Sequence, residues 1–215
     1  IPAPAGFTRV PAAEKSFTAW LRDVKIKKDR KVFLYNGQLK SNQSAQFAVL
    51  DIPVGKKDLQ QCADAVMRLR AEFLYHHNRL SEISFADNNG KKYKCPVAAD
   101  RKNFEKYLEN VFAWCGTASL EKQLRPVKTI GQVEPGDVLI RGGFPGHAVM
   151  VVEVATDSSG KKIYLLAQSY MPAQDIHVLQ NPMNKALSPW YEATEDNSMI
   201  YSPEWTFSPK ELRRW

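Results

Sequence analysis

Residues 135–154 place the strongest constraint on how this chain folds. A Pro-Gly pair precedes His147, and an apolar strand-like run follows it. A second apolar run, residues 162–167, comes after the turn signal of residues 157–160, so the two runs are predicted to pair as a β-hairpin. His147 then stands at the start of a rigid strand, where a catalytic side chain is best held in place.

The second run becomes polar where it ends, at Gln168 and Ser169. In a simple hairpin register these side chains lie near His147. The pair of strands is therefore predicted to present a base, His147, together with an orienting group, Gln168, for which Ser169 is a substitute.

The three cysteines are the candidate nucleophiles, since a thiolate becomes reactive at a helix N-terminus or beside an imidazolium. Cys62 is predicted near the end of the first turn of a helix that begins at an Asp58 N-cap. It shares the apolar face of that helix with Val66 and Leu69, so the alternative interpretation is a small core residue.

The other two cysteines rank lower. Cys115 precedes a glycine at the junction of two predicted helices and is the second candidate for the nucleophile. Cys95 precedes a proline in a lysine-rich hairpin region, with no helix start near it, and is predicted to be an incidental surface thiol.

Composition bounds the kind of protein. The chain has 215 residues, of which 44% are hydrophobic, which is enough for one substantial core. We expect a single domain over residues 1–215 and a monomer. The sequence has no apolar run of the roughly 20 residues that cross a bilayer, so we expect the chain as given to be soluble. It starts at Ile1, without a methionine, so we expect an exported protein whose leader or lipid anchor lay upstream.

Several partners and cofactors are disfavoured. The net charge of +7 includes a basic cluster at residues 25–31, but aromatic residues are not interleaved with it, so we expect a solvated basic face and no nucleic acid. His76 and His77 lack partners at metal-ligand spacing, and residues 141–143 lack the pattern of a phosphate-binding loop. We therefore expect no metal and no cofactor.

The proline-rich C-terminal part is predicted to wrap the body of the protein. Its tryptophans would serve as packing anchors. The alternative is that Trp190 lines a substrate groove, together with Ser169 and Tyr170 from the end of the second apolar run.

The order of these features resembles the NlpC-type and CHAP-type papain-like cysteine hydrolases of bacteria. The likeness rests on a cysteine-bearing helix, then Gly-Asp opening one strand, Gly-His opening the next, and a polar residue on a third. It implies Cys62 as the nucleophile, His147 as its base and Gln168 as the orienter. It also implies cell-wall peptide (peptidoglycan) as the substrate.

The whole chain is also similar to a domain-of-unknown-function family of secreted or lipid-anchored proteins from Bacteroides-type bacteria. Segments that carry this likeness include residues 58–72, 116–120, 145–148, 167–177 and 189–191. Cys62 falls inside that family's pattern, whereas the position of Cys115 is more typically a small residue. The resemblance names no activity.

Together these features predict an α+β fold of the papain-like type, with a helix packed on an antiparallel sheet. The leading hypothesis is an exported cysteine hydrolase that cleaves an amide or peptide bond. The alternative is a non-catalytic binding or scaffold protein of the cell envelope that keeps the same fold.

Overall fold

The fold is a central antiparallel sheet with its helices on one face. The computed structural model describes residues 1–196 and 198–215. Its helices are α1 (Phe17–Asp23), α2 (Cys62–His76), α3 (Arg101–Trp114) and α4 (Thr117–Gln123). Its strands are β1 (Thr8–Arg9), β2 (Gln46–Val49), β3 (Ser84–Ala86), β4 (Lys92–Lys94), β5 (Arg125–Pro126), β6 (Val138–Arg141), β7 (His147–Thr156), β8 (Lys162–Gln168), β9 (His177–Leu179), β10 (Tyr191–Glu192), β11 (Ile200–Tyr201), β12 (Thr206–Phe207) and β13 (Leu212–Arg214). The prediction of an α+β fold is confirmed.

The strand order of the main sheet is β2-β9-β8-β7-β6-β13-β5, with β1 added beside β7 and β10 beside β8. The predicted hairpin is confirmed, because β7 and β8 pair antiparallel from Thr156 opposite Lys162 to Met150 opposite Ala167. On the other side, β6 pairs with β7 so that Arg141 lies opposite His147. His147 therefore stands at an end of the sheet.

Alternation along β7 divides the core into two layers. Met150 and Val152 join the cluster that packs against the helices, whereas Val149 and Val151 join a second cluster on the opposite face. Residues from the C-terminal part of the chain, such as Phe207, complete that second layer. The apolar run of β7 is nearly unbroken because both faces of the strand are buried.

Buried ion pairs tie the chain ends to the sheet. Glu153 on β7 is 4% exposed and accepts two hydrogen bonds of 2.7 Å from the Arg22 guanidinium of α1. Asp137, just before β6, is bound in the same two-pronged way by Arg214 of β13. These bidentate contacts compensate for the loss of water around the two carboxylates.

The residue types at positions 32–35 predict a strand, but the structure contains only isolated β-bridges there. Phe33 pairs with Leu39 and Leu34 with Gln174. The turn at Gly37 reverses the chain before a ladder of hydrogen bonds is established. In the described part of the chain, no helix has the length and apolar character needed to span a bilayer.

Candidate active site

Cys62 is the first residue of α2, with Gln61 as the N-cap. The prediction of a helix from Asp58 is therefore wrong by one turn. Asp58 instead lies in the preceding loop, where its carboxylate accepts a hydrogen bond of 2.7 Å from the backbone N–H of Ala173. As a result the thiol stands at the N-terminal end of the helix, where the unpaired backbone N–H groups and the helix dipole favour negative charge.

Two contacts determine where the helix begins. The Asp64 carboxylate accepts a hydrogen bond of 2.9 Å from the backbone N–H of Gln61, in the manner of a capping box. The Ser169 hydroxyl lies 2.8 Å from the carbonyl oxygen of Gln60 and thereby links the end of β8 to this loop. The loop before Cys62 and the end of β8 are thus joined by a hydrogen bond from the Ser169 side chain to the backbone.

His147 is the first residue of β7, and its ring is enclosed by aromatic side chains. The ring centroids of Tyr170, Trp205 and Phe207 lie 4.9, 5.2 and 5.8 Å from that of the imidazole. Only 2% of the residue is exposed, and this burial lowers the pKa of His147 to about 4. At neutral pH the imidazole is therefore uncharged.

Gln168 contacts the imidazole directly. Its amide oxygen lies 2.8 Å from Nε2 of His147, and its amide nitrogen lies 2.8 Å from a carboxylate oxygen of Glu204. An amide oxygen can only accept, so the proton of the neutral imidazole is on Nε2 and Nδ1 carries a lone pair. In this tautomer Nδ1 is the ring nitrogen that can accept a proton.

Cys62 and His147 line one cleft with a volume of about 340 Å³. The complete lining consists of Asp58, Leu59, Gln61, Cys62, Ala63, Asp64, Phe112, Cys115, Gly116, Thr117, Gly143, Phe144, Pro145, Gly146, His147, Tyr170, Met171 and Trp205. The rim is apolar, since Phe144 is 90% exposed and Met171 68% exposed.

The thiol of Cys62 is half-buried and protonated at rest. Burial raises its pKa to about 11, and the nearby Asp64 carboxyl acts in the same direction. The backbone N–H groups of Ala63 and Ala148 point toward the sulfur and lower the pKa in part. The pair therefore rests as a neutral thiol and a neutral imidazole, with donors already directed at the sulfur.

Cys115 lies in the same cleft but is less accessible than Cys62. It is 5% exposed, and burial raises the pKa of its thiol to about 12. Cys95 was predicted to be a surface thiol, and this is wrong. It is also 5% exposed, because it packs into the helix-side core where β4 ends.

Two of the three predicted substrate-binding residues lie elsewhere. Ser169 is fully buried, and its hydroxyl contacts backbone carbonyls rather than the cleft. Trp190 is 2% exposed in the core, where its indole N–H donates to the carbonyl of Pro2. Burial of a large apolar surface accounts for the position of the tryptophan. Tyr170 does line the cleft.

Sequence reasoning missed Glu204 and Lys40, which stand behind Gln168. Glu204 lies between β11 and β12, and its carboxylate also accepts a hydrogen bond of 2.6 Å from the Lys40 ammonium. Neither residue belongs to a recognisable motif. The only signal in the sequence concerns Glu204, which precedes Trp205 in an otherwise aromatic and proline-rich segment.

Among the residues that the structure describes, no group of three or more His, Cys, Asp or Glu side chains is arranged to hold a metal ion. The cleft presents the thiol of Cys62 and the imidazole of His147, and the Gln168 amide contacts that imidazole. In cysteine hydrolases a thiol, an imidazole and a polar side chain serve as nucleophile, base and orienter.

Comparison with known proteins gives one match. The model of the family described as Domain of unknown function (4846) matches residues 1–98 and 92–214, which together extend over nearly the whole chain. No curated protein and no solved structure matches it. The resemblance to a domain-of-unknown-function family is confirmed, whereas the hydrolase resemblance and a Bacteroides-type origin stay predictions.

Proposed function

The chain belongs to the Domain of unknown function (4846) family, and from its own site we propose that it is a cysteine hydrolase that cleaves an amide or peptide bond. One observation carries the proposal. A cysteine at a helix N-terminus shares a cleft with a histidine whose Nε2 is held 2.8 Å from a glutamine oxygen. This set of groups supports a papain-like catalytic arrangement.

The reaction begins when the Cys62 sulfur attacks the carbonyl carbon of the substrate. Nδ1 of His147 takes the thiol proton, and the carbonyl electrons become an oxyanion near the first N–H groups of α2. The C–N bond then breaks, and His147 returns the proton to the leaving amine. Water, activated by the same imidazole, hydrolyses the thioester to release the acid and restore the thiol.

Proton transfer is expected to accompany the attack rather than precede it. The pKa of the free thiol is raised and that of the free imidazole is lowered, both chiefly by burial. Each charged form alone is disfavoured in this site. The donors at Ala63 and Ala148 become most useful as negative charge develops on sulfur and oxygen.

The walls of the cleft favour an apolar substrate segment beside the scissile bond. Phe144, in the loop before β7, and Met171, in the loop after β8, both line the cleft and are largely exposed. The sequence has 30 Lys and Arg residues, yet none of the described lining residues is one of them, and the carboxyls there are Asp58 and Asp64. A peptide with a large apolar side chain suits this surface better than an anionic one. Cell-wall peptide is the substrate that the hydrolase resemblance implies, and export to the envelope is what the similarity to secreted or lipid-anchored proteins implies.

The test is hydrolysis of peptidoglycan fragments and of a peptide-amide library, followed by mass spectrometry. Cys62→Ser and His147→Ala are each expected to lower kcat/KM by at least about a hundredfold, since a base alone contributes about 10²–10⁴. Cys95→Ser, which changes a thiol outside the cleft, is the matched control. Full activity in either Cys62→Ser or His147→Ala would exclude the mechanism, and loss in Cys115→Ala alone would reassign the nucleophile.

The second candidate is a binding or scaffold protein of the cell envelope. It is favoured by the resting state of the two groups, since the thiol of the half-buried Cys62 and the imidazole of the buried His147 are both neutral. If peptidoglycan fragments bind wild type and Cys62→Ser equally well and no product forms, this candidate replaces the hydrolase.

A further inference from the structure

The β11–β12 hairpin carries a glutamate that reaches the base through Gln168. Glu204 has a side chain that is only 13% exposed, and one of its carboxylate oxygens lies 2.8 Å from Gln168 Nε2 and 2.6 Å from Lys40 Nζ. Its other oxygen lies 3.2 Å from Asn42 Nδ2. The carboxylate is thus surrounded by donors, and one of them is the amide next to the base.

A second acceptor faces the same amide nitrogen. Nδ1 of His177 lies 2.9 Å from the carbonyl oxygen of Asp175, so Nδ1 carries the proton in this contact. His177 is fully buried, and burial lowers its pKa to about 3, which keeps the ring neutral. Its bare Nε2 lies 3.4 Å from Gln168 Nε2 and is therefore an acceptor.

These contacts leave Gln168 a single favourable orientation. Its amide nitrogen has two N–H groups, one for the Glu204 carboxylate and one for the His177 ring. Its oxygen must then point at His147. A flipped amide would set that oxygen against a carboxylate and a lone pair, and would set its N–H groups against His147 Nε2.

The flip would change the chemistry of the imidazole. If an N–H of Gln168 faced Nε2 of His147, Nε2 would become the acceptor and the proton would move to Nδ1. Nδ1 is the nitrogen that must accept the thiol proton of Cys62, so the base would be lost while the fold stayed intact.

We propose that Glu204 is a positioning residue of this site, which holds the Gln168 amide so that His147 keeps its proton on Nε2. The inference rests on the proposed function for its catalytic consequence, but the tautomer itself is a property of the resting protein. Lys40 completes the arrangement by compensating the largely buried charge of Glu204.

The direct measurement is the imidazole tautomer, read from long-range ¹H–¹⁵N correlations of the full chain at neutral pH, with His147→Gln used for assignment. The decisive variant removes the acceptor together with its charge partner, Lys40→Met with Glu204→Met, so that no buried ammonium is left unpaired. Glu204→Gln is the conservative rescue, because its amide oxygen can still face both Lys40 and Gln168. Lys161→Met with Glu192→Met removes a more exposed Lys–Glu pair of the same composition and is the matched control.

We expect wild type, Glu204→Gln and the control to hold the Nε2–H tautomer. The Lys40/Glu204 double variant should populate the Nδ1–H tautomer and lose at least about tenfold in kcat with little change in KM, as expected for a misaligned base. A folded double variant with an unchanged tautomer would overturn the inference. If the double variant does not fold, Glu204→Asp is the deciding variant. It keeps the negative charge near Lys40 but withdraws the acceptor from Gln168. An unchanged His147 tautomer in Glu204→Asp would also overturn the inference.

The two proposals fail separately. A tautomer shift in a protein without detectable hydrolysis would keep the positioning role of Glu204 and reject the hydrolase. Normal hydrolysis with no tautomer shift in the double variant would reject only the role of Glu204.

Discussion

Substitution of Gly146 by alanine tests how the loop before β7 places the base. An ideal Cβ at this position would clash with the Thr117 hydroxyl oxygen and would lie 2.7 Å from the carbonyl oxygens of both Arg141 and Gly143, whereas real Cβ contacts essentially never fall below 3.0 Å. Rotation of the Thr117 side chain could relieve the first contact, but the two carbonyl oxygens are backbone atoms that no side-chain rotation moves. The loop that carries His147 must shift instead.

This shift of the loop is expected to lower the free energy of unfolding. Forced overpacking of a well-packed site costs about 1–3 kcal/mol. A loss of about 2 kcal/mol would lower the Tm of a chain of this size by about 4–8 °C. If the proposed function holds, a displacement of His147 by about 1 Å would lower the rate of the proposed amide hydrolysis by up to about a hundredfold.

Thermal and guanidinium unfolding of Gly146→Ala measure the stability loss, and hydrolysis of the best peptide substrate measures the displacement. Gly116→Ala is the stability control, because that glycine borders the same cleft, has an extended φ of −149°, and its added Cβ meets nothing within 4 Å. If Gly146→Ala were as stable as Gly116→Ala, the loop would be able to yield freely and the steric reasoning would be refuted.

Two further predictions concern protonation. The pKa of Cys62 is raised to about 11, so its alkylation by iodoacetamide, followed site by site with mass spectrometry, should rise about tenfold per pH unit above neutral. A plateau near neutral pH would instead reveal a resting thiolate. Burial lowers the pKa of His177 to about 3, so below about pH 6.5 this imidazole binds a proton in the unfolded chain but not in the folded one. The free energy of unfolding therefore falls as the pH drops below about 6.5. In urea unfolding, His177→Gln should remove about 1.4 kcal/mol per pH unit from that slope, and equal slopes would contradict the assignment.

The elements that the sequence predicted well are those whose signal is local. The β7–β8 hairpin follows from two apolar runs around one turn, and its register brings Gln168 beside His147 as expected. The membership in a domain-of-unknown-function family was likewise carried by short segments of the chain. Such features depend on neighbours in sequence, which a periodic pattern records.

The start of α2 was misplaced because its cap depends on residues distant in sequence. Asp58 has the side chain of an N-cap, but its carboxylate binds the backbone of Ala173, more than a hundred positions later. Gln61 became the cap instead, and Cys62 moved to the first position of the helix. Propensity alone does not reveal a competing tertiary partner.

Cys95 shows the same limit for burial, whereas the prediction that the C-terminal tryptophans are packing anchors holds for Trp190, which is 2% exposed. A cysteine among lysines was predicted to be a surface thiol, yet Cys95 is 5% exposed. Which segment covers the core depends on how the whole chain closes around the sheet. The role of Glu204 could not be predicted from the sequence for the same reason, because it lies 36 positions beyond Gln168, the residue that it contacts.

The sequence by itself determined the α+β class, the central hairpin and the three groups that carry the proposed chemistry, because periodicity and residue type are properties of the chain. The tertiary structure alone decided that Cys62 opens its helix, that Cys95 belongs to the core, and that Glu204 and His177 contact Gln168. Those outcomes depend on hydrogen bonds and burial between distant segments, whose free energy exists only once the segments have met.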